Sequence, residues 1–260
     1  VSTMTNLRNQ LRAALYLASR DAYVKGAFVL PALRALATLL TTLLTPQNAD
    51  MHLVISFESS LLSLVNTGAI FGTCFAVTGI TVHDLSSDGL RASIATERGR
   101  ADYVATRMIL ALMLSMVLTA WTVLLGLILL LAPGAQLEGM PLGELVLRVL
   151  ASMLVGWTYA AFGLLLLWLS RRSRGFGTTL LISIMLAGGL LNLALLVPMA
   201  VAIPFSQELA YDLAQLLMPL QPAALLSMNA TLDLGPVVTC VVCIAAFWVI
   251  SHRLMSRVSL

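Results

Sequence analysis

Residues 108–132 read "MILALMLSMVLTAWTVLLGLILLLA", with no charge and no proline among them. As a helix this run reaches roughly 37 Å at about 1.5 Å per residue, enough to cross the roughly 30 Å of hydrocarbon in a bilayer. Inside lipid only helices and closed barrels satisfy their own backbone, and this run lacks the two-residue alternation of a barrel strand. It therefore reads as a membrane-spanning helix. Working outward, "LLSLVNTGAIFGTCFAVTGITV" at 61–82 has the same character, and further apolar runs lie on both sides. The 260-residue chain is 59% hydrophobic and 10% charged, where a soluble domain carries about 25% charge. The expected fold is all-α and polytopic, with six transmembrane helices at roughly 24–44, 58–82, 104–132, 145–169, 177–203 and 235–251.

The cations set the orientation. Arg8, Arg12, Arg20 and Lys25 precede the first span, and Arg91, Arg98, Arg100 and Arg107 lie between the second and third. Arg171, Arg172 and Arg174 lie between the fourth and fifth, and Arg253 and Arg257 follow the sixth. Thirteen of the fifteen basic residues thus fall on one face, while Asp50, Glu138, Glu208, Asp212 and Asp233 fall on the other. Both termini are expected in the cytoplasm. Residues 1–23 carry Leu7, Leu11 and Leu15 at intervals of four, with polar side chains between them, as in a helix lying along the headgroups. No small-residue cleavage site follows a short apolar core, so the first span is expected to remain in place.

Some chemistry is missing. The single lysine, Lys25, precedes Gly26 rather than Ser or Thr, and no glycine-rich loop comes before it. The chain is therefore not expected to hydrolyse ATP by itself, nor to be an enzyme. His52, His83 and His252 stand far apart, without metal-ligand spacing. Cys240 and Cys243 lie one helical turn apart in an apolar run, which reads as a pair of small packing residues rather than a redox or zinc motif. No cofactor and no metal are expected in this chain.

The charged exception is 84–107, "DLSSDGLRASIATERGRADYVATR". Its Ser and Asp side chains can cap a short helix over "GLRASIATER", on which Leu90 and Ile94, with Arg91 and Arg98, share one side. Gly99 is expected to end that helix and Asp102 to cap the third span. An apolar tip ringed by charge suits a groove on a soluble partner. The plainer alternative is a loop helix resting on headgroups.

These residues resemble the first cytoplasmic loop of the type-2 ABC transporter permeases, where a charged stretch and a small-residue turn lead through an "R-x-D/E-Y" step into the third span. Arg100, Asp102, Tyr103 and Arg107 occupy those places, Asp84 and Asp88 stand for the family's acids, and Glu97 sits where a proline is common. The layout is similar over nearly the whole chain: an interfacial N-terminal helix, six spans, a cationic break at "SRRSRGFG", and a long outer segment before the last span. The resemblance implies one permease domain over 1–260, with a coupling loop at 83–103 and an extracellular segment at 204–234. It implies a dimer with an identical or homologous second permease and two separate ATPase subunits that bind the ATP and magnesium. Asp88, Leu90, Arg91, Ile94, Glu97 and Arg98 become the expected ATPase contacts. The implied setting is a bacterial plasma membrane, with lipid but no nucleic acid as a partner, and the implied cargo is an amphipathic peptide such as a bacteriocin, or a hydrophobic drug.

Polar residues within the spans are few. Arg34 lies along the first span, where a charge is costly unless it faces protein or water. With Asn66, Thr67, Asn192 and Pro198 it is a candidate for lining a route. Glu144 and Arg148, four apart, are expected to pair. In the outer segment Leu209, Leu213, Leu216 and Leu217 form an apolar stripe bounded by prolines, which fits a re-entrant helix pair or a helix lying flat on the outer surface. Three other readings stand beside the exporter: a secondary transporter, a membrane-bound immunity or anchor protein, and a CDP-alcohol phosphotransferase-like enzyme. The last needs more carboxylates than "DLSSDGLRAS" and Asp102 provide.

Overall fold

The computed structural model describes residues 2–44, 55–86, 97–130, 135–136, 139–170, 176–186, 206 and 234–256. The described residues are almost entirely helical. Helix α1 (Ser2–Arg20) meets α2 (Ala22–Leu44) at Asp21, and α3 (Phe57–Val65), a π-helical segment (Asn66–Gly72) and α4 (Thr73–Ser86) run on as one rod. They are followed by α5 (Glu97–Leu129), α6 (Leu142–Ser170), α7 (Phe176–Leu186) and α8 (Leu234–Ser256). The one extended feature among the described residues is a two-residue parallel rung, β1 (Ile55–Ser56) on β2 (Ala135–Gln136). It ties the start of the α3 rod to the segment after α5, and Ser56 then caps α3 by accepting from the Ser59 N–H at 3.2 Å.

Among the described residues, five helices are long and apolar enough to cross a membrane: Ala22–Thr41, Phe57–Leu85, Gly99–Leu129, Leu142–Leu169 and Val237–Met255. They match five of the six expected spans. The remaining one, 177–203, begins in α7, and everything beyond Leu186 in it lies outside the described residues.

The α1–α2 elbow is local chemistry. Asp21 accepts from the Tyr23 N–H at 2.7 Å and so caps α2. The buried side of α1 is Ala14 and Ala18, packed into the main core with Tyr103, Val104 and Met108 of α5. Leu11 and Leu15 are only half-buried. Alanines one turn apart let α1 lie closer to α5 than a leucine seam would.

Two expectations at the third span need correction. Gly99 does not end a helix: α5 runs unbroken from Glu97 through Leu129, and Gly99 is buried within it. Asp102 is consequently no cap but an interior residue, its carbonyl accepting from the Thr106 hydroxyl at 2.7 Å. A helical glycine costs only about 1 kcal/mol against alanine, which the packing of a thirty-three-residue helix readily offsets.

The core is a ring of helix contacts around the α3–α4 rod. Its π-helical segment packs against α2, α5 and α6. A Cβ on Gly68 would lie 2.1 Å from Thr122 Cγ2 of α5, and one on Gly156 of α6 would lie 2.0 Å from the Ala69 carbonyl oxygen. Only glycine fits at these two crossings.

Candidate functional site

Among the described residues, two polar sites join separate helices of the apolar bundle. The first joins the two helices that flank the charged loop. Asp84, in the last turn of α4, forms an ion pair with Arg107 of α5. The Tyr103 hydroxyl lies 3.2 Å from the same carboxylate oxygen, and the Arg107 guanidinium stacks 5.1 Å from the Tyr103 ring centroid. Tyr103 and Arg107 are one helical turn apart, so both face α4 together. Arg107 is only 5% exposed, so this pair sits in a low-dielectric setting where losing one partner is expensive.

The same end of α5 is tied to other elements. Arg100 Nη1 donates to the Met255 carbonyl of α8 at 3.4 Å, and Thr106 Oγ1 lies 3.4 Å from Gln10 Oε1 of α1. The two ends of the 84–107 stretch are therefore fixed to each other and to the first and last helices. Asp84, Arg100, Tyr103 and Arg107 were singled out in the sequence, but the pairing of Asp84 with Tyr103 and Arg107, and of Arg100 with α8, was not. An acid in the last turn of one span and a basic residue in the first turns of the next, joined by a short loop, is the pattern that could have indicated it.

In sequence, the expected ATPase contacts fall between Asp84 and Arg100. Asp88, Leu90, Arg91 and Ile94 fall outside the described residues. Glu97 and Arg98 form the first turn of α5, and so belong to the third span's helix rather than to a separate coupling helix.

The second site lies at the edge of the bundle, between α2 and the rod. Arg34 of α2 donates through Nη1 to Thr67 Oγ1 at 2.6 Å and through Nη2 to Ser63 Oγ. Thr67 in turn donates to the Ser63 carbonyl at 3.0 Å. Asn66, beside Thr67 in the π-helical segment, has a buried side-chain oxygen without a hydrogen-bond partner. Three of the five route-lining candidates, Arg34, Asn66 and Thr67, thus converge on one turn. Asn192 and Pro198 lie outside the described residues.

The sequence reading missed Ser63 and the π-helical segment itself. A π-turn widens the helix by one residue and is frequent at functional positions. Here "NTGAIFG" supplies two glycines and a hydroxyl that bonds back to the preceding turn, which weakens the ordinary helical ladder. Nearby, the Trp121 indole donates to the Phe28 carbonyl at 3.1 Å, in the turn of α2 that Pro31 disturbs by lacking its N–H.

The remaining expectations are quickly placed. Arg148 pairs with Glu144 as the spacing required, Nη2 to Oε1 at 2.6 Å and Nε to the same oxygen at 3.1 Å. Cys240 is buried in a cluster with Cys74 and Tyr159, whereas Cys243 is half-exposed, and both are free thiols. Of the outer segment 204–234, only Ser206 and Leu234 are among the described residues. Compared with models of protein families and with curated proteins, the sequence finds no match.

Proposed function

We propose that this chain is the membrane subunit of an ATP-driven exporter, working as a dimer with separately encoded ATPase subunits. In this reading it is a six-span member of the type-2 ABC permeases in a bacterial plasma membrane, with both termini cytoplasmic. The observation that carries the reading is the ion pair of Asp84 with Arg107, reinforced by Tyr103. A loop can transmit a displacement only if the helices it joins move as one body. This pair clamps α4 to α5 at their loop end, and Arg100 extends the clamp to α8.

A partner that grips residues 87–96 in one nucleotide state and releases them in the other would tilt these helices together. Such a change needs only a difference in contact free energy between the two states. ATP and magnesium belong to the partner, and this chain supplies the pathway. The apolar lining with scattered hydroxyls suits an amphipathic peptide or a hydrophobic drug. A secondary-transport reading rests on Arg34 alone, a membrane-embedded charge held at a helix irregularity.

Affinity isolation of the tagged chain from its native membrane tests the proposal. An ATPase with Walker motifs should accompany it. Reversing two charges, Arg91→Glu with Arg98→Glu, should remove that ATPase while the permease keeps its size-exclusion profile. Unchanged complex yield together with unchanged transport would overturn the assignment.

A further inference from the structure

We infer that Arg34 forms a binding site for an oxyanion carried on a hydrocarbon tail: the acidic end of an amphiphile held in the seam between α2 and the π-helical segment. Arg34 lies twelve residues along the candidate span Ala22–Thr41, about 18 Å from its start at 1.5 Å per residue. A guanidinium at that depth is costly unless its charge is met. Among the described residues its partners are two neutral hydroxyls, Ser63 and Thr67, and no carboxylate pairs with it.

The hydroxyls orient the group without neutralising it. Each terminal nitrogen gives one hydrogen to them, which leaves three of the five N–H donors of an arginine. The side chain is exposed at the edge of the bundle, so these donors are open to an incoming ligand. A fixed fork of N–H groups matches a carboxylate, sulfonate or phosphate in bidentate fashion. Leu30, one turn before Arg34, is exposed, and Leu33 and Leu40 form an exposed stripe on the neighbouring side of α2, together offering an apolar track for the tail. Charge, fixed geometry and an adjoining greasy surface point to one ligand chemistry. It has two sources, an acidic membrane lipid or a free acidic amphiphile.

This site stands apart from ATP coupling. Failure of the exporter reading would leave it intact, and its own failure would leave the loop clamp intact.

Trp121 gives the readout, because it packs in a cluster with Ala35, the neighbour of Arg34. The full chain in detergent micelles would be titrated with dibromostearate, whose bromines quench tryptophan on contact, and with its neutral methyl ester. Saturable quenching by the acid is expected, weak or none by the ester, and Trp121→Phe should remove the saturable part. Arg34→Gln should weaken apparent affinity about tenfold or more, as loss of a charged hydrogen bond implies. Arg34→Lys, which keeps the charge but loses the fork, should fall between, and so should Ser63→Ala with Thr67→Val. The same titration with brominated phosphatidylglycerol against brominated phosphatidylcholine separates the sources: selective quenching by the acidic lipid identifies a lipid site, and quenching by the fatty acid alone identifies a free amphiphile. Equal quenching in wild type and Arg34→Gln, equal quenching by acid and ester, or no saturable quenching by any probe overturns the proposal.

Discussion

Asp84 and Arg107 show how much a pair with one buried partner can decide in an apolar bundle. Burying either ion alone is far more costly than burying both together, because each then lacks its counter-charge. Replacing Asp84 by alanine should therefore destabilise the protein by about 3–5 kcal/mol, read as a lowered thermal midpoint in detergent. The double variant Asp84→Leu with Arg107→Met should recover most of that loss, since both charges leave at once. If the double variant is as unstable as the two singles combined, the two side chains do not act as a pair. Under the proposed exporter function, a version that regains stability but loses transport would separate a mechanical role for the clamp from its contribution to folding. Tyr103→Phe removes one hydrogen bond and leaves the ring under Arg107, so its cost should be near 1 kcal/mol.

The π-helical segment is the element on which the packing of the bundle turns. Because the crossings at Gly68 and Gly156 leave no room for a Cβ, Gly156→Ala should cost about 1–3 kcal/mol through forced separation of α6 from the rod. Gly143, in the first turn of the same helix α6, has open space around it. Gly143→Ala should be neutral or stabilising by up to about 1 kcal/mol, because alanine is the better helix former. Thermal midpoints of the two variants, measured side by side, test the contrast. The long α5 teaches a related lesson. Gly99 reads as a breaker in the sequence, yet helix propensity is a weak prior when the glycine packs against neighbours.

For the whole molecule, the decisive expectation is the sidedness of the chain. On the proposed six-span topology, with the basic residues gathered on the cytoplasmic face, a single cysteine placed at Leu90 should react with a membrane-impermeant thiol reagent only after the cell is opened. One placed at Glu208 should react in intact cells. Both variants would carry Cys243→Ser to remove the half-exposed thiol, and the buried native thiols Cys74 and Cys240 should stay silent in both cases. Labelling of position 90 from outside would invert the topology and remove the basis for an ATPase contact. At this scale the clamp matters because it ties α4, α5 and, through Met255, α8 together, and in the proposed exporter these helices would move as one unit. A push at 87–96 would then reach helices whose other ends lie across the membrane.

The sequence by itself determined that this chain is helical and suited to a bilayer. Apolar runs long enough to span hydrocarbon have few other ways to satisfy their backbone, so composition and length suffice. It also determined the Glu144–Arg148 pair, because partners one turn apart are set by helix geometry alone. The Asp84–Arg107 clamp, the seam of Ala14 and Ala18, and the seating of Arg34 on Ser63 and Thr67 were decided only by the tertiary structure. Each depends on which faces of separate helices meet. In a chain apolar on nearly every side, hydrophobic periodicity cannot say which face that is. The choice is made where a glycine lets two backbones touch and a buried charge finds its partner.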